Sequence, residues 1–186
     1  MKELTGFRKF EERPKKNRNM KTIIIYTNSD SCTEKAVKEL SQKLSGEVEM
    51  IDLKHHHSPP LNEFDRIIIG GSIHSGNVQQ RINYFCLTHM HLLRTKEIGL
   101  FICCSHDPGT AREEINSVFP EELHQMAKTE AIFRGKVDLE GMSFVKRMLV
   151  KRVARVRENV SSLDDASIDR FASRMERTYS PFMFLV

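Results

Sequence analysis

Tryptophan is absent from this chain of 186 residues, tyrosine occurs three times, and the four cysteines form neither a CxxC pair nor a finger-type metal spacing. A zinc finger is therefore excluded. No run of about 18 apolar residues exists, which excludes a membrane-spanning helix. The first residues lack the apolar core of a secretory signal, so the expectation is a cytoplasmic protein. Neither a repeat of solenoid length nor a low-complexity segment is visible. The chain also lacks a Ser/His/Asp array in a recognisable motif context, so a hydrolase is not expected.

One sign of charge is scarce only locally. Residues 1–19, "MKELTGFRKFEERPKKNRN", hold seven Lys or Arg against three Glu, which equals the whole net charge of +4. The other 167 residues are balanced, 22 against 22. A balanced body without basic, aromatic-interleaved patches argues against nucleic acid as a partner. Met20 opens "MKTIIIYTN", which reads like a natural start, so residues 1–19 are expected to be a basic extension with no part in the fold. Residues 20–178 form the expected domain, and 179–186 an apolar tail that could pack on the core or on a second subunit in a homodimer.

What the chain does contain is an alternation. "KTIIIYT" (21–27) is a continuous β-branched run of the kind buried on both faces of a parallel sheet. Ala36, Val37, Leu40 and Leu44 then recur at helical spacing through 33–45, closed by Gly46. "EVEMIDL" (47–53), "FDRIIIGGS" (64–72), "EIGLFICCS" (97–105) and "KTEAIFRGKVD" (128–138) read as four further strands. Helical patterns lie at 78–93, around the break at Pro120, at 143–157 and at 164–175. Five strands alternating with helices predict a three-layer α/β domain with a parallel sheet. Cys103 and Cys104, inside "IGLFICC", are expected to be reduced core thiols.

Three strands end in polar or glycine-rich turns: "TNSDSCT" (27–33), "GGSIHSGN" (70–77) and "CSHDPGT" (104–110). In doubly wound sheets ligands sit at the carboxyl ends of the strands, where strand order reverses. A hydroxyl-rich turn that opens a helix presents free N–H groups and the positive end of a dipole, which suits a phosphate. The same first turn has a second reading. Ser31 followed by Glu34 is a capping box that needs no ligand.

On "MKTIIIYTNSDSCTEKAVKEL", "FDRIIIGGSIHSG", "LFICCSHDP" and "AIFRGKVDLEGMSFVKRMLVKRV", the chain resembles the flavodoxin-like family over about 20–175. More narrowly it resembles the flavodoxin-domain branch that includes menaquinone-dependent protoporphyrinogen dehydrogenase. The resemblance implies strand order 2-1-3-4-5 and the cofactor FMN. It implies that Thr27, Asn28, Ser29, Asp30, Ser31, Cys32 and Thr33 surround the phosphate. Ser31 stands where the family keeps a glycine, and the Asp30 carboxylate has to point away from the phosphate or cap the helix. Gly70 and Gly71 would let backbone approach the flavin ring. Ser72, Ile73, His74, Ser75 and Gly76 would line it, and Ser105, His106 and Asp107 would complete the pocket. No Trp or Tyr falls in these loops, so His74 is either a flat partner for the ring or a solvated residue.

The function implied is electron transfer or an FMN-dependent oxidoreductase, with a redox partner protein, quinone or small molecule as the other reactant. Two alternatives stand beside it: a protoporphyrinogen-type quinone-linked dehydrogenase, and a flavin-free interaction module. No catalytic acid or base is assigned, and no metal is expected. The "HHH" run at 55–57 has no carboxylate or Cys at ligand spacing. The 143–157 helix carries Val145, Met148, Leu149, Val153 and Val156 on one apolar stripe interrupted at Arg152, with Lys146, Arg147, Lys151, Arg155 and Arg157 around it. Such a helix can lie peripherally on the inner face of an anionic membrane, clamp substrate carboxylates, or simply present a solvated basic face.

Overall fold

Ile23, Ile24 and Ile25 are all fully buried, which consecutive strand residues achieve only when both faces of the sheet are covered. The computed structural model describes residues 20–27, 31–56, 59–72, 76–104, 108–134 and 164–177. The basic extension 1–19, the 143–157 helix and the 179–186 tail lie outside the described residues. The elements run β1 (Lys21–Thr27), α1 (Ser31–Lys43), β2 (Glu47–Asp52), a 3-10 turn (Leu61–Glu63), β3 (Arg66–Ser72) and α2 (Gly76–Leu93). They continue through β4 (Glu97–Cys104), α3 (Pro108–Val118), α4 (Glu121–Met126), β5 (Ala127–Arg134) and α5 (Asp165–Glu176).

The five strands form one parallel sheet in the order β2-β1-β3-β4-β5, as the resemblance implied. Residues of alternate parity face opposite ways, and each face has its own core. On one face Ile23, Ile25, Ile67, Ile69, Leu100 and Ile102 meet residues of α2, α3 and α4. On the other, Ile24, Ile68, Phe101, Cys103 and Phe133 meet Ala36, Val37 and Leu40 of α1 and Ile168, Phe171 and Met175 of α5. The Phe133 ring lies between the other two aromatics, stacked on Phe101 at 5.1 Å and edge-on to Phe171 at 5.6 Å. Cys86 and Cys103 are buried, and burial pushes the Cys86 thiol up to about 12.

Two boundaries differ from the sequence reading for identifiable reasons. Helix α1 starts at Ser31 rather than 33, because the residues of its first turn, Ser31, Cys32 and Thr33, are small or polar and carry no apolar period although Thr33 is buried. It ends at Lys43, and Gly46 takes φ 83° where an added Cβ would meet the Met20 carbonyl oxygen at 2.0 Å. The fifth strand is described from Ala127 to Arg134, so the expected extension to 138 lies outside the described residues. His55 and His56 are exposed in the turn after β2, and His57 lies outside the described residues. Among the described residues no helix is long and apolar enough to cross a membrane, and no group of three metal-ligating side chains converges.

The amino-terminal ends of the strands are tied by a buried cation. Arg66 is 2% exposed, donates from Nη1 to Glu176 Oε1 at 2.8 Å, and donates from Nη2 to the Met175 carbonyl at 2.8 Å. Its Nε reaches Glu97 Oε2 at 3.4 Å, and Lys128 Nζ donates to that same oxygen at 3.0 Å. Glu176 also accepts from the Ser45 amide at 3.1 Å and from the Ser45 hydroxyl. Burial pushes the Glu176 carboxyl up, but the Ser45 hydrogen bonds and Arg66 outweigh it and hold it below the usual range.

Replacing Arg66 by Ala leaves Glu176 buried without its cation, so Arg66→Ala is expected to cost about 3 kcal/mol, or roughly 6–12 °C in Tm, by thermal melting. A depressed folded pKa means that the unfolded chain takes up the proton first as pH falls. Glu176 therefore contributes stability above the ordinary Glu value of 4.5, and that contribution is lost as pH drops through its lower folded value. Denaturant unfolding between pH 5 and 3 should show a shallower pH dependence in Glu176→Gln than in wild type.

Candidate functional site

The helices after β1 and β3 lie on opposite sides of the sheet. From the carboxyl end of β1 the chain passes to α1 on one face, and from the neighbouring β3 it passes to α2 on the other. A crevice therefore opens between the ends of β1 and β3, the point at which strand order reverses. The helices α1, α2 and α3 all begin at this edge of the sheet, each following a strand by three residues. Their N-termini bring partial positive charge there.

The connections are shorter than the sequence suggests. Cys32 and Thr33 belong to the first turn of α1, which Ser31 opens; Thr33 is fully buried and Cys32 half-buried. With Ser31 as the first helical residue, the cap position falls on Asp30 rather than Ser31. Glu34 lies in that first turn, where its charge favours the helix N-terminus. Ser72 is buried at the end of β3, and Gly76 opens α2. Pro108 opens α3, where its missing N–H is no loss. Asn28, Ser29, Asp30, Ile73, His74, Ser75, Ser105, His106 and Asp107 lie outside the described residues, in the three connections that these flanks bring to one edge.

Gly70 and Gly71 are strand residues, not loop residues, and their small size serves internal packing. A Cβ at Gly70 would stand 2.4 Å from the Phe101 ring. At Gly71 it would stand 2.6 Å from Thr27 Oγ1 and 2.9 Å from Ile82 Cδ1. Thr27 and Gly71 are register partners across the crevice. Thr27 is 1% exposed, and its Oγ1 has no hydrogen-bond partner among the described residues. A buried hydroxyl without a partner is costly, about 1–3 kcal/mol, and is rarely retained without a use. It sits one residue before the first connection.

The outer side of this edge is acidic. Tyr26 pairs in register with Asp52, and burial first, then the charges of Asp52 and Glu34, push its hydroxyl above the usual value. An anion is therefore disfavoured over β2 and favoured in the crevice between β1 and β3. Sequence reasoning named both Thr27 and Gly71 but gave Gly71 close backbone approach to a ring and missed its packing against Thr27; a glycine inside an apolar strand was the available signal.

A family model described as Flavodoxin domain matches residues 23–164. The chain belongs to the flavodoxin-domain family. Among solved structures it is similar to oxidised Flavodoxin 1 from Bacillus cereus, at 17% identity over 60% of this chain and 84% of that one, with a TM-score of 0.38. It is also similar to a flavodoxin of Streptococcus pneumonia TIGR4, at 12% identity over 83% and 97%, TM-score 0.44. The Trp repressor binding protein from Bacillus subtilis shares 12% identity over 73% and 99%, TM-score 0.41. No curated protein matches.

The packing of Thr27 against Gly71 is open to a double-mutant cycle. Gly71→Ala is expected to lose about 1–3 kcal/mol by overpacking. In a Thr27→Ala background, urea unfolding should show a smaller loss, because one of the two side-chain contacts is gone.

Proposed function

We propose that the chain is an FMN-binding redox protein whose phosphate site lies at the ends of β1 and β3. The observation that carries this reading is the buried Thr27 hydroxyl, which lacks a partner among the described residues at the mouth of the reversal crevice. Family membership supports it. The described residues are compatible with the group: Thr27 Oγ1 would donate to a phosphate oxygen, and the α1 N-terminus would supply backbone N–H groups to the same anion. Hydroxyls of Ser29, Ser31 and Thr33 complete the assigned phosphate set, with Asn28, Asp30 and Cys32. Ser72, Ile73, His74, Ser75, Gly76, Ser105, His106 and Asp107 are assigned to the ring. FMN supplies one- and two-electron chemistry when bound; the protein's part is to hold the phosphate, orient the ring and exclude water.

The quinone-linked porphyrinogen oxidation implied by "AIFRGKVDLEGMSFVKRMLVKRV" is the narrower form of the proposal, resting on that sequence likeness alone. Flavin-fluorescence titration tests the broader one. One FMN per chain is expected to bind, and Thr27→Val should weaken it roughly tenfold while leaving the flavin-free protein at least as stable as wild type, because the unpartnered hydroxyl is gone. Absence of saturable binding would make the chain a flavin-free interaction module. With flavin loaded, anaerobic turnover of protoporphyrinogen with a quinone decides the narrower form.

A further inference from the structure

On the far side of the sheet from β2, the edge strand β5 and helix α5 enclose a groove of about 390 Å³. Three guanidinium-bearing residues line it: Arg134 at the end of β5, and Arg170 and Arg174 one turn apart on α5. At the end of β5 the Asp164 amide donates to the Arg134 carbonyl at 3.3 Å, which ties the start of α5 to the strand. The N-terminus of α5 opens into the same place, capped by Asp164, whose side chain accepts from the Ser167 amide at 3.3 Å and from its hydroxyl at 2.6 Å.

The charges there do not balance. Arg170 Nη2 stands 3.8 Å from Asp164 Oδ2. Hydrogen bonds from Ser167 first, against a smaller opposing effect of burial, and then the charges of Arg170 and Arg134, hold the Asp164 carboxyl below the usual range. Both arginines therefore act on one carboxylate. The other acid of the lining, Glu130, is engaged on the opposite face of the sheet, 2.6 Å from His124 Nδ1 and 3.6 Å from Arg112 Nη1. Among the described lining residues, three guanidiniums thus stand against one acid that is not engaged on the other face, an excess of two positive charges.

We propose that this groove is a binding site for a small organic dianion with two separated carboxylates. One carboxylate meets Arg134 and Arg170 beside the α5 N-terminus, and the other meets Arg174. Four residues of helix separate the two α5 arginines by about 6 Å along the axis, a span that suits a linear four- or five-carbon dicarboxylate. Guanidinium forks take carboxylates in a bidentate geometry, which gives the groove its selectivity over monoacids.

The test is isothermal titration of the full chain with succinate and glutarate at low ionic strength, with acetate at matched ionic strength as the control. Saturable one-site binding of a dicarboxylate, absent for acetate, is expected. Arg170→Gln and Arg174→Gln should each weaken it roughly tenfold. Arg112→Gln, on the other face, should leave it unchanged. Both groove arginines are exposed, so the variants should melt as wild type does; Arg170→Lys, which keeps the charge without the fork, gives a milder second variant with partial affinity. FMN-loaded protein should bind the dicarboxylate as well as flavin-free protein. Equal binding of acetate, insensitivity to both glutamine variants, or loss of binding on adding FMN would overturn the proposal, whereas failure to bind FMN alone would leave it standing.

Discussion

Burying the Arg66 guanidinium at the start of a central strand sets a condition that the surrounding structure has to meet. A guanidinium taken out of water needs a counter-charge and partners for its N–H groups, or the fold loses several kcal/mol, about 3–5 when one partner is missing. Glu176 supplies the charge and the Met175 carbonyl a further acceptor, both from the last turn of α5. Because Glu176 also accepts from Ser45 just beyond α1, one cation fixes the last helix, the end of the first helix and two central strands together. The amino-terminal side of the sheet is thereby committed to stability, and the carboxyl side is left free to differ.

At the carboxyl side the controlling fact is the all-parallel sheet buried on both faces. With α1 on one face and α2, α3 and α4 on the other, a crevice appears where the direction changes between β1 and β3. Thr27 and Gly71 stand on its two walls. Their packing leaves a buried hydroxyl without a partner among the described residues, while three helix N-termini converge at that edge. The β5–α5 groove runs along the edge strand, with cations supplied by side chains instead of by helix ends. The two proposed anion sites would thus arise on one sheet by different means.

Much of the architecture was legible because central strands are apolar on both faces and helices carry a 3.6-residue stripe. "KTIIIYT" and "FDRIIIGGS" could be strands of no other kind, and Ala36, Val37, Leu40 and Leu44 could mark only one helix face. Boundaries were less legible. Ser31, Cys32 and Thr33 belong to α1 although they carry no apolar period; Thr33 is buried there as a polar residue, which hydrophobic periodicity does not register. Gly70 and Gly71 resemble loop punctuation, yet they are strand residues whose missing side chains accommodate Phe101 and the pair Thr27 and Ile82. Nothing local in the sequence marks Arg66 as a buried residue. Its burial depends on Glu176, 110 residues later, and no local pattern carries a contact of that separation.

By itself, the sequence determined the number and order of the elements, the parallel sheet and the three polar strand ends, because periodicity and turn chemistry are local properties of the chain. Its likeness to the flavodoxin family implied the strand order. Only the tertiary structure decided that Thr27 and Gly71 face each other across the reversal point, that Arg66 is held in the interior, and that Arg134, Arg170 and Arg174 share one groove. The reason is physical. Which side chains meet, and which polar atoms are left without partners, is settled by the packing of elements distant in sequence, and that packing exists only once both faces of the sheet are covered.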